Sequence, residues 1–371
     1  MKAVLSKKNL LDGVRTAGHA ISARSALAVL THVLASAEGD SIKFQATDNQ
    51  IGIACTCSAQ VLEPGNLTLP AALAAEAIAS LPEADVLIES NELNQIRILC
   101  GASDFQLLGL PPGDFPGLPE VSDATWFEIP SKDLRTALRR TSFACSNDEL
   151  RSALLGVLFA FTGDTLRMVA TDTHRLALDV RMVASGNGEA SAIVPARAVN
   201  EMLRVLPEEG SVRVHISERQ IGFAVGNLAV TASLIEGEFP KYDRVIPQDF
   251  ERKIVVPTGV FTPAVRRAGI VGRGDMNRVV VKADGDRVHV SSRSGSTGSA
   301  MDEVEAVLEG EPIEIAFNSE YLLDALDVIE TEGVQIQLSG QLDPAVVRPV
   351  DQDDYLCVLM PMQLKEEVLP A

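Results

Sequence analysis

Thr171-Asp172-Thr173-His174 sets a carboxylate and an imidazole two residues apart, with a hydroxyl before each. Such a set could do acid–base work. A hydrolase needs a nucleophile, a base and a group that orients the base, and the sequence offers no motif of that kind. The same spacing fits a tight β-turn in which the Asp bonds its own backbone, and that structural reading is preferred. A Gly-x-x-x-x-Gly-Lys-Ser/Thr phosphate loop is also lacking, which argues against an ATPase or a polymerase. Cys55, Cys57, Cys100, Cys145 and Cys357 are odd in number and scattered, without a Cys-x-x-Cys. They read as buried free thiols rather than a zinc site or redox pair. The expectation is a non-catalytic protein with no metal and no cofactor.

The remaining reactive chemistry is positive charge in an acidic chain. The 371 residues carry 51 acidic and 32 basic side chains, a net charge of −19. Averaged over the surface, that argues against a nucleic-acid binder, but binding depends on where the charge stands. At 46% hydrophobic residues the chain is not a disordered acidic tail. No apolar run approaches the roughly 18 residues of a membrane span, and the first residues lack a signal-peptide core. The sequence therefore reads as soluble and cytoplasmic.

What positions the charges is a repeat. Ala46-Thr47-Asp48 returns as Ala170-Thr171-Asp172, and Phe115-Pro116 as Phe239-Pro240. Leu69-Pro70 returns as Val194-Pro195. A fainter third copy places Val290-Ser291-Ser292 and Phe317-Asn318 at matching points. The chain divides into three similar units, 1–122, 123–248 and 249–371, each of domain size. Each holds two helices among short alternating strands, an α+β domain. In the second unit, Leu134, Ala137, Leu138 and Thr141 form one helical face behind Ser131, a plausible N-cap. A second helix follows Pro195.

Aligned on their apolar faces, the first helices place Arg15, Arg139 and Arg266 at one position. Thr16, Arg140 and Arg267 come next. Arg24 and Arg273 stand just past their helices. Arg197 and Arg204 face outward on the second helix of unit two, where unit one has Ala72 and Ala79 and unit three Glu320 and Asp327. With Arg151, these arginines form a candidate surface for a phosphate backbone, held without reading sequence.

Ala170-Thr171-Asp172-Thr173-His174-Arg175-Leu176-Ala177, Phe239-Pro240-Lys241-Tyr242 with Arg244-Val245, Phe115-Pro116-Gly117-Leu118-Pro119, and Leu359-Met360-Pro361-Met362-Gln363-Leu364 resemble segments of the bacterial DNA polymerase III beta subunit family, the sliding clamps. The resemblance covers the whole chain. It implies three repeated DNA-clamp domains and a head-to-tail ring dimer around double-stranded DNA, which is about 20 Å wide. It implies a homodimer contact of Phe105 and Leu107 against Ile270 and Val271. It further implies a pocket for short peptides of the DNA polymerase III alpha subunit, the clamp loader and other repair and replication proteins. Carried over residue by residue, that pocket comprises Leu154, Thr171, Thr173, His174, Arg175, Leu176, Pro240, Arg244, Val245, Val358, Leu359, Met360, Pro361 and Met362, with Val346 and Arg348 at the rim.

The resemblance makes the chain a processivity factor that tethers the polymerase, with no membrane partner. The alternatives are a peptide-binding repeat scaffold that does not hold DNA, or a specialised clamp outside main replication. Three features depart from the family pattern. Thr173 stands where glycine is usual, and a β-branched residue resists positive φ. Ser152 and Ala153 replace bulkier residues at two DNA-contacting positions. Gly272-Arg273-Gly274 is rich in glycine.

Overall fold

The structure, a computed structural model, describes residues 1–22, 25, 27–118 and 125–364. Arg24 and Pro119 lie outside the described residues. Helices α1 (Lys7–Gly18), α2 (Ala71–Ser80), α3 (Ser131–Ser142), α4 (Ala196–Val205), α5 (Thr258–Gly272) and α6 (Ser319–Leu326) are set among short antiparallel strands. The first helix of each repeat buries the apolar face read from the sequence. Leu10, Val14 and Ala17, then Leu134, Ala137 and Leu138, then Phe261, Ala264, Val265 and Ala268 are all removed from solvent. In α1 the face includes Gly13, because the fully buried Phe44 ring lies where a Cβ would project.

Local chemistry sets the helix starts. Ser6 caps α1 by accepting the Asn9 amide at 3.2 Å, and Asn318 caps α6 by accepting the Glu320 amide at 2.9 Å. Ser131 differs from its expected role. It is the first residue of α3, and its hydroxyl donates to the Pro207 carbonyl while its amide reaches the Gly210 carbonyl at 2.9 Å. The hydroxyl thus fastens the helix to a neighbouring loop rather than capping it.

The chain forms two compact units. One comprises Met1–Arg135, Thr162–Asp164 and Val183–Ile235; the other comprises Thr136–Phe161, Thr165–Met182 and Glu236–Ala371. In the first, a sheet runs unbroken from Thr125–Pro130 through Ser211–Ile216, Gln220–Val225 and Leu228–Ser233 into Ile51–Ser58, Ser41–Thr47, His32–Glu38 and Gly65–Pro70. The joining pair sets Val230 opposite Ile53 and Thr231 opposite Gly52. A separate five-stranded sheet ends at the edge strand Ser103–Leu108.

In the second unit, Thr165–Thr171 pairs with Arg175–Met182, which pairs with Tyr355–Leu359 and so connects residues of the second and third repeats. Ala345–Pro349 and Gly333–Leu338 follow in the same sheet. A four-stranded sheet ends at the edge strand Gly298–Glu305. In the third repeat the strand Arg287–Ser294 runs straight through Val290-Ser291-Ser292 and turns only after Ser294, whose Oγ accepts the Ser296 amide at 3.3 Å before the paired strand Gly298–Glu305. The expected match to Ala170-Thr171-Asp172 is therefore out of register.

Candidate functional site

The Thr171–Arg175 turn is held by its own side chains. Asp172 Oδ1 accepts the amides of His174 and Arg175 at 2.9 and 3.0 Å. Thr171 Oγ1 donates to the Arg175 carbonyl at 2.7 Å and accepts the Thr173 amide at 3.2 Å. Asp172 is therefore occupied as a turn former, and its second oxygen takes the Arg175 Nε at 3.1 Å. His174 is exposed and stacks on Tyr321, with 6.2 Å between ring centroids. The pair orders a turn rather than a proton relay.

Thr173 holds φ at 78°, so the left-handed turn persists despite the β-branched side chain. The same turn occurs one repeat earlier. Asp48 Oδ1 accepts the Gln50 and Ile51 amides at 3.0 and 2.8 Å, and Asn49 stands at φ 74°. Asparagine suits that conformation better than threonine does.

Beside the Thr173 turn is a cavity of about 200 Å³ lined by Leu154, Thr171, Thr173, Arg175, Leu176, Pro240, Tyr242, Val245, Val358 and Met360. Leu176 and Val358 are cross-strand partners, and with Leu154 they supply buried apolar surface. Met360, 40% exposed, and Val245, 48% exposed, flank the opening. Arg175 forms part of the wall. Its guanidinium contacts Asp324, donates to the Phe143 carbonyl at 2.6 Å, and lies 4.4 Å from the centroid of the Tyr321 ring. With its donors engaged, Arg175 presents carbon surface as much as charge. The cavity suits an apolar side chain held by a few orienting polar groups.

The remaining pocket candidates, His174 included, are not among the residues that line this cavity. Val346 is buried opposite Val358, while Leu359 is buried opposite Arg175. Arg348 pairs with Asp353 at 3.6 Å, and Arg244 is exposed. Pro361 and Met362 are half-buried, and the Met362 amide donates to Ala316 at 2.7 Å. Sequence reasoning missed Tyr242 as a lining residue, although it stood in the quoted Phe239–Tyr242 segment.

The arginines separate into distinct groups. Arg15 and Arg273 are exposed, and neither has a hydrogen-bond or ion-pair partner among the described residues. Arg139 pairs with Glu330, and Arg266 with Asp327 at 2.7 Å. Arg267 takes Asp302 at 2.8 Å on the edge strand, and Arg204 takes Glu201 at 2.9 Å. Arg197 binds Asp48 and the Ala20 carbonyl. Arg151 donates to Thr173 Oγ1 at 3.3 Å and pairs with Asp148, which places it beside the turn.

Arg140 is a correction to the proposed phosphate surface. Its side chain is 5% exposed and lies between Asp179 and Asp354, each at 3.2 Å, with Tyr355 facing the guanidinium. One step along a helix is about 100° of rotation, which turns Arg139 outward and Arg140 into the interior.

Of the dimer candidates, Leu107 is buried and Phe105 half-buried on the edge strand Ser103–Leu108. Ile270 is exposed and Val271 half-buried near the end of α5. Among the described residues, no cluster of three or more His, Cys, Asp or Glu could hold a metal ion, and no helix is long and apolar enough to cross a membrane.

Family models of the DNA polymerase III beta subunit match the chain in three successive segments. The N-terminal domain matches residues 1–119, the central domain 128–241 and the C-terminal domain 243–363. The chain belongs to the DNA polymerase III beta subunit family. A beta sliding clamp of Staphylococcus epidermidis is 30% identical over 374 residues, covering 98% of this chain and 99% of its own. One from Staphylococcus aureus is 31% identical over 355 residues, covering 93% and 94%. The solved Bacillus subtilis sliding clamp is 28% identical with a TM-score of 0.93, covering 98% of this chain and 100% of its own. A Pseudomonas aeruginosa sliding clamp bound to griselimycin is 30% identical with a TM-score of 0.93 and the same coverage. As a family member the chain is a non-catalytic processivity factor of DNA replication, a clamp for DNA that also binds polymerase and other partners.

Proposed function

We propose that domains 1–122, 123–248 and 249–371 of two chains close head to tail into a cytoplasmic ring around duplex DNA. The ring slides on weak arginine–phosphate contacts from Arg15, Arg139 and Arg266. Its grip is topological, so it need not bind tightly. The acidic excess stands away from the duplex and discourages DNA from binding outside. The edge strands Ser103–Leu108 and Gly298–Glu305, with exposed Ile270 near the second, suit a heterologous contact that closes after two copies.

The Leu176–Val358 cavity receives a short apolar peptide from the DNA polymerase III alpha subunit, the clamp loader and other replication and repair proteins. One observation carries this reading: buried apolar walls open to solvent between Val245 and Met360. Methionine adapts to varied side chains, which suits a site shared by several partners.

Griselimycin, bound by the Pseudomonas aeruginosa relative, is the available probe. Calorimetry should give one molecule bound per chain. Val245→Asp with Met360→Asp should weaken it more than about tenfold, since each charge must be desolvated against apolar surface. Unchanged affinity in a variant with an unchanged melting temperature refutes the pocket.

A further inference from the structure

Arg139 and Arg266 occupy repeat-equivalent positions on α3 and α5, and both are met by carboxylates from one short stretch of chain. Glu330 contacts Arg139, and Asp327, directly after α6, accepts from Arg266 Nη2 at 2.7 Å. All four side chains are well exposed, between 46% and 71%. Arg15, the third member of the set, has no such partner among the described residues. Two of three equivalent positive charges are therefore locally neutralised.

We propose that Asp327 and Glu330 are competing carboxylates that weaken the grip of Arg139 and Arg266 on duplex phosphates. This rests on the reading that these arginines face DNA. Exposed ion pairs are worth little, so a phosphate can take the guanidinium from its carboxylate. The displaced carboxylate stays within a Debye length, roughly 8–10 Å at working salt. It repels the incoming phosphate and recruits a cation as it loses its arginine. A duplex bound by a free arginine releases a counterion; bound by a paired one, it releases a counterion while the carboxylate takes one up. The net release falls, and with it both affinity and salt dependence. A ring that must move along DNA gains from contacts that are individually close to neutral. Arg15 keeps a full charge toward the duplex, so each chain grips most strongly through its first repeat.

The test is equilibrium binding of the full-length protein to a short fluorescent linear duplex, followed by anisotropy across a sodium chloride series. Glu330→Gln with Asp327→Asn should bind about tenfold more tightly at low salt. Its slope of log affinity against log salt should steepen by up to roughly 0.9 per freed arginine. The charge-preserving pair Glu330→Asp with Asp327→Glu should keep the wild-type slope, which separates charge from packing. Arg139→Ala with Arg266→Ala should bind more weakly than wild type. Wild-type affinity and slope in the neutralised variant, alongside weakened binding in the arginine variant, overturn the carboxylate proposal and leave the DNA face standing. Wild-type binding in the arginine variant overturns the DNA face and the proposal together.

Discussion

Leu118 lies directly over Gly52: a Cβ on Gly52 would stand 2.6 Å from Leu118 Cδ2 and 2.7 Å from Thr231 Oγ1. One repeat later the corresponding residues are Tyr242 and Leu176, which line the cavity beside the Thr173 turn, with Val358 in the place of Thr231. The first repeat therefore fills with its own leucine a position that is left open in the second. Gly52→Ala should destabilise the protein by about 1–3 kcal/mol through overpacking, read by urea denaturation. Leu118→Ala added to it should recover part of the loss; additive losses would show that the two residues do not meet.

Thr173 pays for a left-handed backbone that its neighbours enforce. Thr173→Gly should raise stability by about 1 kcal/mol, the usual penalty for a non-glycine residue at positive φ. Asn49→Gly should gain less, because asparagine already tolerates this region. Chemical denaturation of the two variants side by side provides the comparison.

The Arg140 cluster is structural. Burial pushes the Asp179 carboxyl up, and Arg181 and Arg140 oppose that shift. Arg140→Ala leaves buried Asp179 with Arg181, at 2.5 and 2.7 Å, as its remaining partner and should cost about 1.5–3 kcal/mol. A folded-state pKa raised by burial means that the Asp179 contribution improves as pH falls through that pKa and is lost as pH rises through it. In Arg140→Ala, with one opposing charge removed, stability should fall more steeply with rising pH than in wild type. Equal pH slopes would contradict the assignment.

The thiols should react in a fixed order. Burial pushes Cys145 and Cys357 up to about 12. The Cys55 thiol, hydrogen-bonded to its neighbour, pulls Cys57 below its ordinary value and is itself raised. Limiting maleimide near neutral pH should label Cys57 first, with a rate that rises with pH as its thiolate forms. Peptide mapping that finds Cys145 or Cys357 modified first in folded protein would overturn this order.

Much of this was legible because it is local. The buried stripe Leu134, Ala137, Leu138 belongs to one helix, and the Asp172 turn to five residues. Nine of the residues placed in the pocket by family resemblance line the cavity, and Tyr242 completes it. What escaped depends on partners distant in sequence. Arg139 and Arg140 are adjacent and alike in type, yet Glu330 meets one while Asp179 and Asp354 enclose the other. Nothing near either arginine announces that difference. Ser131 has the residue type of a cap, but the carbonyl of Pro207 claims its hydroxyl.

The pairing of Ile51–Ser58 with Leu228–Ser233 sets an order for events on the ribosome. Until the nascent chain has grown past residue 233, Ile51-Gly52-Ile53-Ala54-Cys55 is an open, apolar sheet edge, the kind that captures other chains. Arg175–Met182 waits longer, for Tyr355–Leu359 much further along the chain. A stalled or truncated product therefore leaves one or both edges bare, and its fate should be aggregation or chaperone capture rather than a smaller working domain.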